Sequence, residues 1–274
     1  MGLSCPVEPI ADVQPKPMGT HGYSLRSRAF IGTAGWNIPR EEKPHFPGSG
    51  SHLERYAARF SAVEINSSFY RPHRASTYTR WAASVPADFR FAVKVPKAIT
   101  HTARLENTGG LIAGFLSEVG GLGEKLGCLL VQLPPSLAFK PKVARGFFED
   151  FRALTQAAIA FEPRHASWFE APAEKLLEEF QIARAAADPA PVPAAAAPGG
   201  WRGLTYHRLH GSPRMYYSAY PHEFLATLAE RLVREASDGP VWCIFDNTAH
   251  GFALPNAREL VCEWGAAAVG KSDR

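Results

Sequence analysis

Residues 158–169 read AIAFEPRHASWF, a small-and-apolar run that passes directly into Glu162, Arg164, His165 and Trp168. Alternate side chains of a strand face opposite sides. The bulky Ile159 and Phe161 suit a face covered by helices, which turns Ala158, Ala160 and Glu162 to the other face, with the carboxylate at the strand's end. Two readings compete for the polar part: a functional site at a strand end, or a charged loop leading into a capped helix.

Working outward, this run is one of eight with strand character: AFIGTAG (29–35), AVEIN (62–66), RFAVKV (90–95), GCLLVQL (127–133), AIAFE (158–162), IARAAAD (182–188), LTYHRLH (204–210) and VWCIFD (241–246). Between them, helical periodicity marks SHLERYAARF (51–60), TGGLIAGFLSEVGGLGEKL (108–126), KVARGFFEDFRAL (142–154), PAEKLLEEF (172–180) and PHEFLATLAERLVREA (221–236). Such alternation implies parallel strands joined by right-handed crossovers. Eight units in about 245 residues fit an α/β fold of the (β/α)8 TIM-barrel type, a single domain. An open doubly wound sheet is disfavoured, because GTAGW after the first strand is not the glycine-rich phosphate turn such sheets carry. The expected boundaries are a flexible proline-rich tail over 1–28, a barrel over 29–268 and a short tail over 269–274. The sixth run is alanine-heavy and equally compatible with a helix, and PAPVPAAAAPGG (189–200) reads as a loop or mobile insert.

The same parity applied to the other runs turns Glu64, Asn66, Lys94, Gln132, Glu162 and Asp246 inward, with Asp188 ending the sixth run and Arg208 and His210 sharing a face of the seventh. All lie near carboxyl ends, where barrel enzymes build their sites. A purely structural network is the competing reading, since the carboxylates can pair with Lys94, Arg208 and His210. Buried ions lose several kcal/mol even when paired, however, and a barrel needing only stability would use Val, Ile and Leu. Around this set, Arg40, Arg71, Arg74, Lys97 and Arg164 follow strand ends, with Trp36, Phe69, Tyr70, Trp168, Tyr216, Tyr217 and Tyr220. Cations beside flat rings suit a nucleotide, an unstacked base or a phosphorylated sugar.

The expected chemistry is acid–base work on an anionic, phosphorylated or nucleic-acid-derived substrate. Glu64 and Glu162 serve as base and acid, Lys94, Arg164 and Arg208 hold the anion, and His165 or His210 shuttles a proton. Trp36, Asn66, Tyr70, Gln132, Trp168 and Asp188 complete the substrate-binding set. The alternatives are a non-catalytic nucleic-acid binder, and a carbohydrate-active enzyme using paired carboxylates. No cofactor is required. A divalent metal on Glu64, Glu162, Asp188, His210 or Asp246 is the weaker expectation, because no HxH or HExxH spacing occurs and Lys94 and Arg208 would repel it.

Composition sets the remaining bounds. The 274 residues are 46% apolar and 11% aromatic, enough for one large core, and the net charge of +4 is too small for a dedicated nucleic-acid tail. The four cysteines lack CxxC spacing, and Cys128 and Cys243 sit in apolar runs, which fits reduced thiols in a cytoplasm. The first 28 residues carry no long apolar segment, so neither a signal peptide nor a membrane anchor is expected there. The expected partner is a small phosphorylated molecule or nucleic acid rather than a membrane, and the oligomeric state is left open.

The blocks IGTAGW, VEINSSFYRPHRASTYTRWAASVPADFRFAVKVPKAITH, LGCLLVQLPPSLAF, FEPRHASWF, YHRLHG and FDNTAHGFALPNARELV, in order from about residue 29 to 264, resemble the YecE-like family, domain of unknown function 72. The resemblance implies a TIM barrel and no established activity. A likeness of the family's barrel to endonuclease IV, a metal-dependent DNA-repair enzyme, implies nucleic-acid binding by analogy alone. Matched motif positions are Gly35, Trp36, Glu64, Asn66, Phe69, Tyr70, Lys94, His101, Gln132, Pro134, Pro135, Glu162, Arg164, His165, Trp168, Arg208, His210, Gly211, Asn247 and Asn256, which adds Asn247 to the substrate-binding set. The family pattern usually has FNN where this chain has FDN, so Asp246 is a carboxylate in place of an amide and joins the catalytic set as a base, a cation ligand or a pairing partner.

Overall fold

The runs with strand character fold as strands in the computed structural model, whose described residues are 28–272; the tail expected over 1–28 lies, apart from Arg28, outside them. The strands are β1 Ala29–Thr33, β2 Ala62–Ile65, β3 Arg90–Lys94, β4 Leu126–Gln132, β5 Ile159–Glu162, β6 Ala183–Arg184, β7 Ala186–Asp188, β8 Gly199–Gly200, β9 Thr205–Leu209 and β10 Val241–Phe245. They form an α/β fold with two sheets, ordered β1-β10-β9-β7 and β2-β3-β4-β5-β6-β8. Every pairing is parallel except β6 with β8. The sixth run is a strand, not a helix, interrupted at Ala185, where the chain leaves one sheet for the other while the Ala185 N–H donates to the Phe161 carbonyl at 2.9 Å. At the opposite side, Ala34 bridges Glu64 in parallel sense, and the Gly35 N–H donates to the Glu64 carbonyl at 2.8 Å.

Among the described residues, seven α-helices cover the strands: α1 His52–Ala57, α2 Ala75–Ala83, α3 Gly109–Val119, α4 Pro141–Leu154, α5 Ala171–Glu179, α6 His222–Glu235 and α7 Ala253–Ser272. A capping box starts α1, in which the Glu54 N–H donates to Ser51 Oγ and the Ser51 N–H to Glu54 Oε2. Two helices are additions to the sequence reading. In α2 the Ser/Thr-rich ASTYTRWAA has only Tyr78 fully buried, so it carries little apolar periodicity. The last helix, α7, runs through Ser272, past residue 268, where the sequence reading ended the domain.

The insert over 189–200 also departs from expectation. It carries a 3₁₀ turn, Pro193–Ala196, then β8, and it is pinned in place. Arg184 Nη1 donates to the carbonyls of Ala194 and Ala197 at 3.1 Å each. Glu174 accepts from Arg184 Nε and, at 2.7 Å, from the Gly200 N–H. A buried arginine thus replaces the apolar side chains that the alanine-rich segment lacks.

Parity sorts the strand residues into two apolar clusters. Val63, Ile65, Phe91, Val93, Leu129, Val131, Ile159 and Phe161 pack with the helices. Ala62, Ala92, Cys128, Leu130, Ala160, Ala183, Tyr206, Trp242 and Ile244 form a second cluster from the alternate positions. Trp242 stacks on Phe30 at 4.8 Å and on Tyr206 at 6.0 Å between ring centroids. The alanines opposite make room for these rings, and the cluster forms a packed floor below the polar strand ends.

The contact between β1 and β2 leaves no space for a side chain at Gly32. A Cβ there would lie 2.0 Å from the Ala62 carbonyl oxygen and 2.9 Å from the Tyr56 hydroxyl, which itself donates to that carbonyl and accepts from the Thr33 N–H. Main chain has nowhere to yield, so Gly32→Ala is expected to cost about 3 kcal/mol. Urea unfolding measures it, and a change below about 0.5 kcal/mol would show that the two strands separate easily. Among the described residues, no helix is long and apolar enough to cross a membrane.

Candidate functional site

Arg208, on β9, is the centre of the polar strand ends. Its Nε and Nη2 grip Glu64 bidentately at 3.0 and 2.7 Å, and Nη1 reaches Glu162 Oε2 at 3.1 Å. Nη2 also lies 3.0 Å from Asp246 Oδ2. One guanidinium therefore serves three buried carboxylates delivered by three different strands. Its planar fork allows this, whereas a lysine would offer a single point of charge.

The carboxylates are otherwise well satisfied. Glu64 accepts from the Tyr206 hydroxyl at 2.9 Å. Glu162 accepts from Gln132 Nε2, from Arg164 Nε at 3.0 Å, and stands 3.1 Å from His210 Nε2. The other nitrogen of His210, Nδ1, is 3.2 Å from Asp246 Oδ2. An imidazole between two carboxylates can donate to both only as the imidazolium.

The charge states follow from the competition between burial and neighbours. Burial alone would raise the Glu162 pKa, but Arg208, His210 and Arg164 outweigh it and hold the carboxyl well below its usual range. Asp246 follows the same balance, with Arg208 and His210 lowering it against burial. Burial would lower His210, yet Glu162 and Asp246 raise it above an ordinary histidine. Both candidates for base and acid are tied to Arg208, which grips both oxygens of Glu64 and one of Glu162; the neighbours pull Glu162 away from its protonated form and His210 toward its own.

Lys94 ends β3 with 5% of its surface exposed. Its ammonium stands 4.2 Å from the centroid of the Phe69 ring, and among the described residues no carboxylate lies within ion-pair distance of it. Burial and then Arg208 push its pKa down to about 8, against the opposing pull of Glu64, Asp246 and Glu162. An unfolded lysine keeps its proton to about 10.5, so below pH 8 the charged amine costs stability, and that cost fades between pH 8 and 10.5. The Phe69 face returns part of it. Lys94→Met is expected to raise stability at pH 7 by on the order of 1–3 kcal/mol, with the gain shrinking as pH rises through 9. Chemical denaturation across pH checks this, and a loss of stability at pH 7 would contradict it.

The remaining sequence-derived residues scatter. Trp168 is corrected to a packing role: it is buried in the helix-side cluster, donates from Nε1 to the Leu137 carbonyl at 2.9 Å, and touches Phe139 and Phe161. His165 faces Ser167, accepting from its N–H to start the 3₁₀ turn Ala166–Phe169, and makes no contact with the Arg208 network. Asn247 donates to the Ser218 carbonyl and to Asn256 Oδ1, and Asp188 accepts from the Tyr220 hydroxyl, so both anchor the 211–220 loop. Trp36 packs edge-on against Trp81, Tyr70 is 75% exposed, and Asn66 buries an Oδ1 without a hydrogen-bond partner.

One participant, Tyr206, was absent from the sequence-derived site, and another, His101, entered it only as a matched motif position. Tyr206 lies two residues before Arg208, and the same parity would have found it. His101 reaches Phe69 at 5.0 Å, and its pKa is lowered by burial and then by Lys94 and Arg164, which places it beside the site's cations. Tyr216, expected at the rim, meets the His210 ring edge-on at 5.7 Å. A cavity of about 480 Å³ lined by Phe69 opens between Tyr70, Arg71, Lys97, Leu111 and Phe115. Among the described residues, no group of three or more His, Cys, Asp or Glu is arranged to hold a metal ion. Of the carboxylates expected as metal ligands, Glu64, Glu162 and Asp246 close on Arg208, and Asp188 accepts from the Tyr220 hydroxyl.

Residues 30–273 match the family described as a protein of unknown function, DUF72. The chain belongs to the DUF72 family. Among curated relatives, UPF0759 protein YecE of Escherichia coli K12 is 28% identical over 141 residues, which is 51% of this chain and 50% of that protein. UPF0759 protein YunF of Bacillus subtilis 168 is 26% identical over 149 residues, 52% of this chain and 53% of that protein. The chain thus spans about half the length of the curated relatives it matches. A crystal structure of a DUF72 protein from Enterococcus faecalis V583 superposes with a TM-score of 0.73 at 21% identity, covering 86% of this chain and 95% of that one. One from Thermotoga maritima MSB8 gives 0.70 at 24% identity, covering 85% and 98%. At such identity these structures speak to the DUF72 fold alone.

Proposed function

We propose that this DUF72 chain is a cytoplasmic enzyme built on a (β/α)8 barrel, which binds a small phosphorylated or nucleic-acid-derived substrate at the carboxyl ends of its strands. The Ala34–Glu64 bridge on one side and the β6–β7 crossover on the other support reading the two sheets as one ring. The observation that carries the function is the balance of buried charge. Arg208, Arg164, His210 and Lys94 face only Glu64, Glu162 and Asp246, which leaves one positive charge without its match. Arg164 Nη2 lies 3.0 Å from Glu162 Oε1 without an aligned hydrogen bond, and Tyr216 is the other group against this guanidinium. An anionic oxygen would satisfy both deficits.

In this reading Arg164 and the charged form of Lys94 hold the anion, Arg208 keeps its three carboxylates in place behind them, and the proton that Lys94 can release and take up again serves the chemistry. Titration calorimetry with inorganic phosphate, glycerol 3-phosphate and a short single-stranded oligonucleotide tests it. The expected result is binding of the monophosphates, weakened about tenfold or more by Arg164→Gln, which removes one charge-assisted bond. No affinity for any of the three at low salt would overturn it. A second reading, a nucleic-acid binder without catalysis, draws on Tyr70, 75% exposed beside Arg71. Its mark would be oligonucleotide binding that falls steeply with salt and ignores Arg164→Gln.

A further inference from the structure

We propose that Lys94 is an imine-forming lysine and that the substrate is an aldehyde or ketone carrying a phosphate group, an inference that rests on the reading of the strand ends as an anion-binding enzyme site. The surroundings of the amine carry this. Lys94 is anchored by the β3–β4 pairing with Leu130, at the end of a strand rather than on a loop. The residue is buried, its ammonium stands against the face of Phe69, and the carboxylates around it are already engaged by Arg208 and His210. A lysine whose task was to hold a permanent positive charge would be paired. An amine without an ion-pair partner, with a guanidinium close by, readily sheds its proton and becomes a nucleophile. Burial and Arg208 move its titration in that direction.

The step balances without any further reagent. The neutral Lys94 nitrogen attacks the carbonyl carbon, a C–N bond forms, and the amine proton passes to the former carbonyl oxygen to give the carbinolamine. A proton from solvent then reaches that hydroxyl, the C–O bond breaks, water leaves, and a protonated imine remains. Arg164, whose Nη2 has no aligned hydrogen bond, is the cation proposed to hold the substrate's phosphate during both steps.

Borohydride trapping tests this. The full chain is incubated with dihydroxyacetone phosphate, or with uncharged dihydroxyacetone, then reduced with sodium borohydride and digested, and the modified lysine is located by mass spectrometry. The expected result is saturable labelling of Lys94 by the phosphate probe, at least tenfold faster than labelling of the exposed Lys97 and Lys140, suppressed by inorganic phosphate and lost in Lys94→Met. Labelling of Lys94 no faster than of Lys97, although inorganic phosphate binds, would overturn the imine while leaving the anion site standing. Equal labelling of Lys94 by both probes without protection by phosphate would uphold an imine-forming lysine and overturn the phosphate-bearing substrate together with the anion reading.

Discussion

Arg208→Met is expected to cost at least about 3–5 kcal/mol at pH 7, the range for removing one partner of a buried ion pair, and here three carboxylates lose their shared cation. The pH dependence identifies the cause. In the native chain Glu162 and Asp246 titrate below their ordinary values of 4.5 and 3.8, so their contribution is present above those values and is lost as pH falls through the folded ones. Without Arg208, burial dominates and raises the carboxyl pKa values, so acidification from pH 7 to 5 should relieve the variant. Urea denaturation at the two pH values is the measurement. The gap between variant and native chain should narrow at pH 5, and Arg208→Lys should recover only part of it, because an ammonium does not reproduce the fork. Native stability of Arg208→Met at pH 7 would show that the carboxylates need no counter-ion.

Trp168→Ala is expected to cost about 3–5 kcal/mol while changing phosphate affinity less than about threefold. The indole is buried against Phe139, Phe148 and Phe161, and its N–H satisfies the Leu137 carbonyl. Trp168→Phe should cost less, keeping most ring contacts and leaving one carbonyl unmatched. Thermal unfolding and phosphate titration together decide it. Lost affinity with unchanged stability would return Trp168 to the binding site.

These two residues illustrate how far reading along the strands reaches. Period-two alternation places Glu64, Lys94, Glu162, Arg208 and Asp246 on one face, because a strand's pleat leaves a side chain only two directions. Trp168, His165 and Asn247 lie beyond strand ends, where no period constrains direction. There the side chain goes where a partner waits: a carbonyl for Trp168, Ser167 for His165, and Ser218 with Asn256 for Asn247. The segment 189–200 evaded the sequence for a related reason. Alanine and proline signal little by themselves, and its order comes from Arg184 and Glu174, distant in the chain.

The alternation of strands with helices, the parallel sense of the main pairings, and the shared face of Glu64, Lys94, Glu162, Arg208 and Asp246 were legible in the sequence alone, since short-range periodicity and the handedness of crossovers act locally. The helix α2 and the antiparallel β6–β8 pairing were not. What each member does was decided only in three dimensions. Glu64 and Glu162 share their chemistry and lie one residue apart in strand position, yet one guanidinium from β9 binds both, and only Glu162 also meets the histidine from the end of that strand. Charge states depend on distances between residues about 50 to 150 positions apart, to which no local pattern in a chain is sensitive.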